Sequence, residues 1–472
     1  MKEHKDKLKQ AEDFFKDLED RGLIYKSTWK DGLIDKFAKG KRIYWGIDPT
    51  ADFLHLGHYL GLSFLKRFTK RRYPVVVLIG SLTARIGDPS FRSKARKFNP
   101  DIDNNAAVLK EQLSRFFEKE MQIVVGDYPL CEIVDNYELH NDRLKQDATI
   151  QEKPINVLLG FIGEACSCLK VNELIRRDAF ANRLDNGLTL AEFLYPSLQG
   201  LDFFYLNKEK GVDVQLGGSD QWGNMLVGLQ LMTKDLDYEL NEEAKEMDFK
   251  RAGIITFPLL TDSSGNKFGK SEGNAISINT GGDNKNIYLV RQYLLNIRDD
   301  MVHGLFLKLT HLSIEEIDQI NKEMSIKDQK NRLADVICED IFGNKQTKSS
   351  SLIIKQAFSG ELALERDYEA LKEFGSWVPS KDLRWMSNMR LSSIFIELDL
   401  VSSNSEFNRL RVSGGVYVPG IDLEELEKSD YMVKEEYVVW DKKNPLRGIL
   451  TVRKGKKHWG LIHFSKNESV FS

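Results

Sequence analysis

The feature that most constrains the fold of this chain is a short apolar run at residues 73–80, Tyr-Pro-Val-Val-Val-Leu-Ile-Gly. The run lacks the polar alternation of a half-exposed strand, which is typical of a strand buried on both faces in a parallel sheet. An apolar i, i+4 stripe before it predicts the crossover helix that such a sheet requires: Leu56, Leu60, Phe64 and Phe68. The sequence therefore predicts an α/β fold.

Strand-like and helix-like segments alternate up to about residue 260. Further strands are predicted at 42–47, 132–136 and 212–217. A parallel sheet binds its ligands beyond the carboxyl ends of its strands. The loops expected there, and therefore expected to face a ligand, are 46–58, 80–96, 134–137 and 217–224.

The chain has 472 residues, which is more than one hydrophobic core usually organises. Residues 1–284 carry the α/β pattern. Residues 285–375 show only helical periodicity, with Ser313 and Glu316 spaced as a capping box. A stretch rich in Gly, Ser and Pro indicates a linker at 376–389, after which short strands and basic residues return in 390–472.

Composition and charge exclude several classes of protein. The chain is 41% hydrophobic and 29% charged with a net charge of −3, which argues against a uniformly basic nucleic-acid coat but permits local basic patches. Its cysteines lack zinc-site spacing and the density of a disulfide framework: Cys131, Cys166, Cys168 and Cys338. No run approaches the roughly 18 apolar residues of a membrane helix. We expect a cytoplasmic protein with reduced thiols, no metal-ligating residues and no membrane association.

Two histidines lie at the predicted start of the helix that follows strand 42–47, in the order His55-Leu56-Gly57-His58. A helix N-terminus offers free backbone N–H groups to a phosphate, and two imidazoles three residues apart share one side of the first turn. With the hydroxyl of Thr50, they can donate to the charge on a transferring phosphoryl or nucleotidyl group. The alternative is a pair of ordinary polar histidines.

A second segment suited to phosphate is residues 267–271, Lys-Phe-Gly-Lys-Ser. Lys267 and Lys270 lie in a glycine-rich, mobile loop beside a serine hydroxyl. A solvated lysine cluster is the usual alternative, but the segment ends the α/β region that contains the histidines, which favours ATP held from two sides. The loop after strand 73–80 carries bases that form either a phosphate clamp or a solvated loop: Arg92, Lys94, Arg96 and Lys97.

Two further segments place polar side chains near the expected ligand edge. Residues 217–224, Gly-Gly-Ser-Asp-Gln-Trp-Gly-Asn, lead from a strand into a helix, where Asp220 suits a ribose hydroxyl pair or an ammonium group. A helix cap is the alternative. Tyr195, Gln199 and Asp202 share one face of a predicted helix, forming either a helix contact or the wall of a site for a small polar ligand.

Taken together, these motifs closely resemble those of the bacterial-type tyrosyl-tRNA synthetases, which are class I enzymes. The shared patterns, all present in order, are Tyr-x-Gly-x-Asp-Pro-Thr-Ala-x-x-x-His-x-Gly-His, Gly-Asp-Pro-Ser, Tyr-x-x-x-Gln-x-x-Asp, Gly-Gly-Ser-Asp-Gln-Trp-Gly-Asn and Lys-Phe-Gly-Lys-Ser. The resemblance covers about 40–285 and, after a looser helical region, 390–472. It implies a Rossmann-like catalytic domain at 1–284, an all-α anticodon-side domain at 285–375 and a small α+β, S4-like RNA-binding domain at 390–472. Within the catalytic domain it implies a connective, dimer-interface region at about 110–190 and a lysine-bearing loop at 265–284.

The resemblance also implies a role for each matching residue. The substrate phenol is expected at Tyr44 and Asp202, and the substrate ammonium at Thr83, Asp88, Tyr195 and Gln199. Contacts to the substrate backbone, ribose and adenine are expected from Gly46, Asp48, Gly57, Gln215, Gly217, Gly218, Asp220 and Gln221. Contacts to the ATP phosphates and the leaving pyrophosphate are expected from Thr50, His55, His58, Arg92, Arg96, Lys267 and Lys270.

The implied reaction activates L-tyrosine with ATP, and with Mg²⁺ on the phosphates, to tyrosyl-adenylate and pyrophosphate. The tyrosyl group then passes to the 3′-terminal ribose of tRNA(Tyr). A site that recognises a phenol through a carboxylate and a second phenol excludes phenylalanine, because phenylalanine leaves both of these polar groups unpaired. Tyrosyl-tRNA synthetases are themselves the known example. A homodimer is implied as well. RNA phosphates are expected at Arg409, Arg411, Arg453, Lys454, Lys456 and Lys457.

Two alternatives share parts of this pattern. A tryptophanyl-tRNA synthetase has the same fold and both ATP motifs, but Asp202 and the run 219–222 favour tyrosine. An RNA-binding protein that has lost catalysis would show substitutions in the ATP motifs, and their histidines and lysines are all retained. The sequence departs from the family at Trp45, where a small residue or Cys usually lies near the ribose, and at Phe91, where Gly commonly follows Asp-Pro-Ser.

Overall fold

The computed structural model describes residues 2–28, 34, 37–88, 100–146, 166, 169–175, 187–233, 252–260, 270–271, 274–279, 284–359, 368–386, 388–419, 421, 423, 432–455 and 458–466. The chain forms two units. The first comprises Met1–Gly281 and Tyr293–Ile337, and the second comprises Gly282–Gln292 and Cys338–Ser472. Within the described ranges, no helix is both long and apolar enough to span a membrane.

The strands, in chain order, are β1 (Lys26–Ser27), β2 (Arg42–Ile47), β3 (Val75–Ile79), β4 (Val124–Val125), β5 (Tyr128–Pro129), β6 (Cys131–Asp135), β7 (Val212–Gly218), β8 (Gly253–Phe257), β9 (Lys270–Ser271), β10 (Asn274–Ala275), β11 (Ser380–Arg384), β12 (Val416–Tyr417), β13 (Val439–Trp440), β14 (Arg447–Lys454) and β15 (His458–Ser465).

The α-helices are α1 (Lys2–Asp20), α2 (Leu56–Lys70), α3 (Ser81–Ile86), α4 (Ile102–Phe116), α5 (Glu118–Met121), α6 (Asn136–Gln146), α7 (Val171–Ile175), α8 (Leu190–Lys210), α9 (Trp222–Thr233), α10 (Asn284–Leu295), α11 (Val302–Leu309), α12 (Ile314–Glu323), α13 (Ile326–Phe342), α14 (Asn344–Ser359), α15 (Tyr368–Gly375), α16 (Leu391–Glu397) and α17 (Asn404–Val412).

The main sheet of the first unit has the strand order β1-β8-β7-β2-β3-β6. All neighbours are parallel except β1, which pairs antiparallel with β8. The chain moves outward from β2 to β3 and β6, then returns to β7 on the other side of β2. The strand order therefore reverses between β2 and β7, and in open α/β sheets ligands bind beyond the carboxyl ends of the strands at such a point.

Local sequence explains why this sheet is buried. Every residue of β3 is buried, as the apolar run at 73–80 predicts. The predicted crossover helix is α2, and the residues of its apolar stripe are all buried: Leu56, Leu60, Phe64 and Phe68. Because the sheet carries helices over its faces, its strands need no polar alternation. The predicted α/β class is confirmed.

A series of helices begins at Asn284. Helices α10 to α15 follow one another, and Ser313 caps α12 by accepting from the backbone N–H of Glu316 at 3.1 Å, as the capping-box spacing predicts. Helix α11 belongs to the first unit and packs against α2, because Arg67 of α2 donates to the carbonyl of Leu307 at 3.1 Å and Tyr59 donates to that of Leu309 at 3.3 Å. Arginine donors at a helix C-terminus satisfy its free carbonyl groups.

The second unit contains a small sheet in the order β11-β15-β14-β12, with β13 also pairing with β14. Helices α16 and α17 cover it, with Leu391, Phe395 and Phe407 in the buried core. Residues 376–389, predicted as a linker, contribute β11, which pairs in parallel with β15, and the buried side chain of Trp377. The Gly, Ser and Pro that indicate a linker here lead into an edge strand instead.

Candidate active site

A cavity of about 600 Å³ lies where the carboxyl ends of β2 and β7 meet. It collects residues from segments that are far apart in the sequence. The predicted site residues that line it are Tyr44, Gly46, Asp48, Thr50, His55, Gly57, His58, Thr83, Asp88, Tyr195, Gln199, Asp202, Gln215, Gly217, Gly218, Asp220 and Gln221. The loops after β2, β3 and β7 thus open into one space, as the parallel topology requires.

The two histidines of the first motif stack on one another at the start of α2. Their ring centroids are 3.5 Å apart and their planes differ by 18°. The backbone N–H of His55 donates to Nδ1 of His58 at 3.3 Å, so the proton of a neutral His58 ring lies on Nε2. Burial of the ring, together with the facing imidazole of His55, lowers the pKa of His58 well below its usual value. His58 is therefore a neutral donor.

Backbone pairing links the residues after β10 to the chain around the histidine motif. The N–H of Leu56 donates to the carbonyl of Ile276, and the N–H of Ile278 donates to that of Leu54, both at 2.8 Å. Residues 276–278 follow directly after the short β9–β10 pair, which begins at Lys270. The backbone at Lys270 is thus anchored beside the histidine motif. Lys267 and the side chain of Lys270 lie outside the described part of the chain, as do Arg92 and Arg96.

Asp48, directly after β2, joins the tyrosine of α8 to the threonine of α3. It accepts from the hydroxyl of Thr83 at 2.8 Å and from that of Tyr195 at 3.0 Å. Burial and the carboxylate of Asp48 raise the pKa of Tyr195 well above its usual value, so the phenol stays protonated and donates. Tyr195, which the resemblance groups with Asp88, therefore pairs with Asp48.

Asp88 accepts hydrogen bonds from the opposite wall of the cavity. The amide of Gln221 donates to it at 2.7 Å and that of Asn224 at 3.4 Å. The loop after β3 is thus tied to the Gly-Gly-Ser-Asp-Gln-Trp-Gly-Asn motif after β7. Asn224 belongs to that motif but is not among the predicted site residues.

Asp202 is a buried carboxylate with two donors from α6. Nδ2 of Asn136 lies 3.1 Å from Oδ2, and Nε2 of His140 lies 2.8 Å from Oδ1. Asn136 also reaches the hydroxyl of Thr83, at 3.3 Å. The sequence indicates that loop 134–137 faces a ligand but does not identify these two donors. Burial, with the charge of Asp202, raises the pKa of nearby Tyr44 well above its usual value.

Three buried polar atoms of the cavity have no hydrogen-bond partner within the described ranges. They are the hydroxyl oxygen of Tyr44 and the Oε1 atoms of Gln199 and Gln215. Buried polar groups in folded proteins are normally paired, so such atoms offer hydrogen-bonding positions suited to a polar ligand. The cavity therefore combines a group of buried polar side chains with a helix start that carries two histidines.

Comparison with known proteins agrees with this geometry. Residues 38–359 match the family described as tRNA synthetases class I (W and Y). The chain belongs to this family. It is 29% identical over 458 residues to the tyrosine–tRNA ligase of Streptococcus suis (strain 98HAH33), with 95% of this chain and 99% of that protein covered.

Solved structures of this family are similar as well. The C-terminally truncated mitochondrial tyrosyl-tRNA synthetase of Aspergillus nidulans aligns with a TM-score of 0.60 at 27% identity, covering 75% of this chain and 99% of that chain. The corresponding protein of Coccidioides posadasii aligns with a TM-score of 0.59 at 26% identity, covering 74% and 95%. The resemblance to bacterial-type tyrosyl-tRNA synthetases is confirmed, and with it the class I fold.

Glycine in the family motif after β7 has a steric reason. A Cβ built on Gly218 would lie 2.4 Å from Oδ1 of Asp220 and 3.0 Å from Leu259. Any side chain there would displace the carboxylate that the family resemblance places near the ribose. The glycine thus lets Asp220 fold back over the end of β7.

The residues predicted to bind RNA are in the second unit, and those described are Arg409, Arg411, Arg453 and Lys454. Arg411 donates to the carbonyl of Leu423 at 2.6 Å, Arg453 lies 4.2 Å above the ring of Tyr417, and Lys454 pairs with Glu406 at 2.8 Å. Arg409 is exposed on α17. Lys456 and Lys457, between β14 and β15, fall outside the described ranges.

Proposed function

We propose that the chain is a tyrosine–tRNA ligase, which activates L-tyrosine with ATP and transfers the tyrosyl group to the 3′-terminal ribose of tRNA(Tyr). Membership of the family and the nearly full-length match to bacterial tyrosine–tRNA ligases support this function. The observation that favours tyrosine over tryptophan is that Tyr44 and Asp202 both line the cavity.

The Tyr44 and Asp202 pair suits a phenol better than an indole. A phenol hydroxyl placed between them donates to the carboxylate of Asp202 and accepts from the buried hydroxyl of Tyr44. An indole N–H only donates, and a phenyl ring does neither. Tryptophan would leave Tyr44 unpaired, and phenylalanine would leave both residues unpaired, at a cost that a buried site discriminates strongly.

The remaining polar groups of the cavity suit the backbone of an amino acid. We place the substrate ammonium among Asp88, Thr83, Tyr195 and Gln199, with Asp48 and Gln215 beside the substrate backbone. A cation there lies against two carboxylates, Asp48 and Asp88, that are already oriented by hydrogen bonds. Such orientation reduces the cost of binding because the charges need not reorganise.

Activation requires positioning and charge stabilisation. The substrate carboxylate attacks the α-phosphorus in line, an oxygen–phosphorus bond forms, and the bond to the leaving pyrophosphate breaks, with no proton to transfer. Thr50, His55 and His58 donate to the phosphate oxygens, and His58 does so from Nε2. We assign the leaving pyrophosphate to Arg92, Arg96, Lys267 and Lys270. Mg²⁺ carried on the phosphates of ATP would offset part of their charge.

The proposed binding site for the adenine and ribose of ATP follows from the same family resemblance. We place adenine and ribose along the backbone at Gly46, Gly57 and Gly218, with Asp220 and Gln221 on the ribose and base. For the RNA, we propose that 285–375 lies on the anticodon side and that 390–472 is an S4-like domain contacting tRNA phosphates. We further propose a cytoplasmic homodimer whose interface includes part of 110–190.

Amino-acid-dependent exchange of pyrophosphate into ATP, measured with each of the twenty amino acids, tests the function directly. We expect exchange with tyrosine alone. Exchange activated by tryptophan would overturn the proposal. In the variant Asp202→Ala, exchange should be lost while the circular dichroism spectrum stays native; retained exchange would refute the placement of the phenol site.

A further inference from the structure

His140 contacts the carboxylate that the proposed function assigns to the substrate phenol. Its Nε2 lies 2.8 Å from Oδ1 of Asp202, and the two side chains are 14% and 3% exposed. His140 lies one helical turn after Asn136 on α6, so both side chains reach Asp202 from the same face of the helix. None of the motifs that define the family resemblance contains His140.

The chemistry of this contact fixes the direction of the hydrogen bond. An ionised carboxylate only accepts, so Nε2 of His140 carries the proton and donates. The ring meets Tyr205 edge to face, with centroids 5.5 Å apart and planes at 86°. The imidazole is therefore held between an aromatic ring and the carboxylate, which restricts its rotation.

The two donors from α6 bind different oxygens of the Asp202 carboxylate. Asn136 takes Oδ2 and His140 takes Oδ1, so each oxygen keeps one further acceptor site. A carboxylate bonded at both oxygens cannot rotate about its Cβ–Cγ bond without losing one of the two bonds. The acceptor sites that remain are thereby fixed relative to Tyr44, whose hydroxyl is buried in the same cavity.

We propose that His140 is a specificity-determining positioning residue: by donating to Oδ1, it holds Asp202 in the orientation that accepts the hydroxyl of a tyrosine substrate. This inference rests on the proposed function. His140 acts through Asp202 and contributes to the selection of tyrosine over phenylalanine. A residue that only joined α6 to α8 would affect folding but would not affect this selection.

Two substitutions separate the donor from the shape of the side chain. Gln in H140Q has a terminal N–H₂ at nearly the reach of Nε2, so the donor is retained. Leu in H140L fills similar space without a donor. H303Q is the matched control, because it makes the same change at an exposed histidine on α11. The variants are compared as full-length protein by tyrosine-dependent and phenylalanine-dependent pyrophosphate exchange.

We expect H140L to raise KM for tyrosine about 10- to 100-fold, which corresponds to the loss of one hydrogen bond to a charged group. The ratio of kcat/KM for tyrosine to that for phenylalanine should fall by a similar factor, with KM for ATP within about twofold of the wild type. H140Q should recover most of both losses, and H303Q should match the wild type. Loss of activity without a change in the tyrosine-to-phenylalanine ratio would overturn the inference.

Two further outcomes keep the test decisive. If H140L does not fold, H140N takes its place, because the shorter amide keeps the polarity but falls short of Oδ1, and an unchanged ratio in H140N then refutes the inference. If the wild type shows no tyrosine-dependent exchange, the proposed function itself fails. If the wild type exchanges with tyrosine and the donor-free variants discriminate as well as it does, only the role of His140 fails.

Discussion

The indole of Trp45 occupies the space that a side chain at Gly61 would need. A Cβ built on Gly61 would lie 2.5 Å from Cζ2 and 2.6 Å from Cε2 of Trp45. Trp45 belongs to β2 and Gly61 to the second turn of α2, so a large and a small residue interlock the strand and the helix. The same indole lines the cavity and meets the ring of His58 at 6.4 Å between centroids. The tryptophan at position 45, where the family usually has a small residue or Cys, thus requires glycine at position 61.

We expect Gly61→Ala to impair the nucleotide side of the site. The added methyl group must displace the indole, at an overpacking cost of about 1–3 kcal/mol, and the displaced ring moves toward His58. The thermal midpoint should fall and KM for ATP in pyrophosphate exchange should rise. KM for tyrosine should change least, because the three atoms nearest the added methyl group all belong to the ring of Trp45 and none to Tyr44 or Asp202.

A double variant at positions 45 and 61 is the control for the proposed contact between the added methyl group and the Trp45 ring. W45C removes the ring that the new methyl group strikes, so W45C combined with G61A should be more stable than the sum of the single variants. Side chains in contact usually show coupling energies of about 0.5–3 kcal/mol. Strictly additive effects would contradict the interlock.

The lowered pKa of His58 makes stability depend on pH in a defined direction. Above about pH 6.5 the ring is neutral in both the folded and the unfolded chain, so it contributes no dependence. As the pH falls below that value, the unfolded chain binds a proton that the folded ring does not, and stability falls. The thermal midpoint of the wild type, relative to His58→Asn, should be constant from about pH 7 to 8.5 and should drop toward about pH 5.5. Parallel curves for wild type and His58→Asn would contradict the prediction.

Local periodicity and motif order account for what the sequence predicts well. The strand at 73–80 and the stripe on α2 are visible because both depend on neighbours within a few residues, and both are confirmed. The lining from the loops after β2, β3 and β7 is predictable because parallel strands end at one edge of a sheet, whereas Tyr195, Gln199 and Asp202 come from helix α8. The donors to Asp202 are different: Asn136 and His140 are 66 and 62 residues away, and no local pattern records which side chains of α6 face α8.

Pairing among polar groups inside the site is equally hard to predict. The motifs place Asp48, Asp88 and Tyr195 near one ligand, but they carry no information on which acceptor each donor chooses. Tyr195 donates to Asp48 because α8 brings its hydroxyl within 3.0 Å of that carboxylate. The sequence thus predicts which of these residues line the cavity, and side-chain geometry decides their partners.

A buried arginine outside the site predicts a large effect on stability. Arg42 is 1% exposed; it pairs with Glu132 at 2.7 Å, donates to the carbonyl of Lys210 at 2.8 Å and lies over the ring of Tyr128. Removing one partner of a buried pair costs about 3–5 kcal/mol. We expect Arg42→Met to lose about 3 kcal/mol in urea unfolding, since Lys210 still pairs with Glu132. Exchange kinetics should stay near the wild type below the unfolding transition.

The pH dependence of this pair provides its control. Burial raises the pKa of Glu132, but the hydrogen bonds from Lys210 and Arg42 lower this pKa by a larger amount, so the net shift is downward. The stability that Glu132 contributes is therefore present above its ordinary pKa of about 4.5 and is lost as the pH falls through the lower folded value. The difference in stability between wild type and Glu132→Gln should shrink below about pH 4.5. A constant difference across this range would contradict the role of the carboxylate charge.

Arg409 and Arg411 lie on the same short helix, α17, but should respond differently to substitution. Arg409 is exposed, whereas Arg411 donates to the carbonyl of Leu423 at 2.6 Å. We expect Arg409→Ala to weaken binding of tRNA(Tyr) without lowering the thermal midpoint. The slope of log affinity against log salt should fall by about 0.7–0.9, the value for one lost phosphate contact. Arg409→Lys should keep that slope, and Arg411→Ala should lower the thermal midpoint as well, because the Leu423 carbonyl loses its donor. Fluorescence anisotropy of labelled tRNA over a salt series measures the slopes, and an unchanged slope in Arg409→Ala would show that this arginine contacts no phosphate.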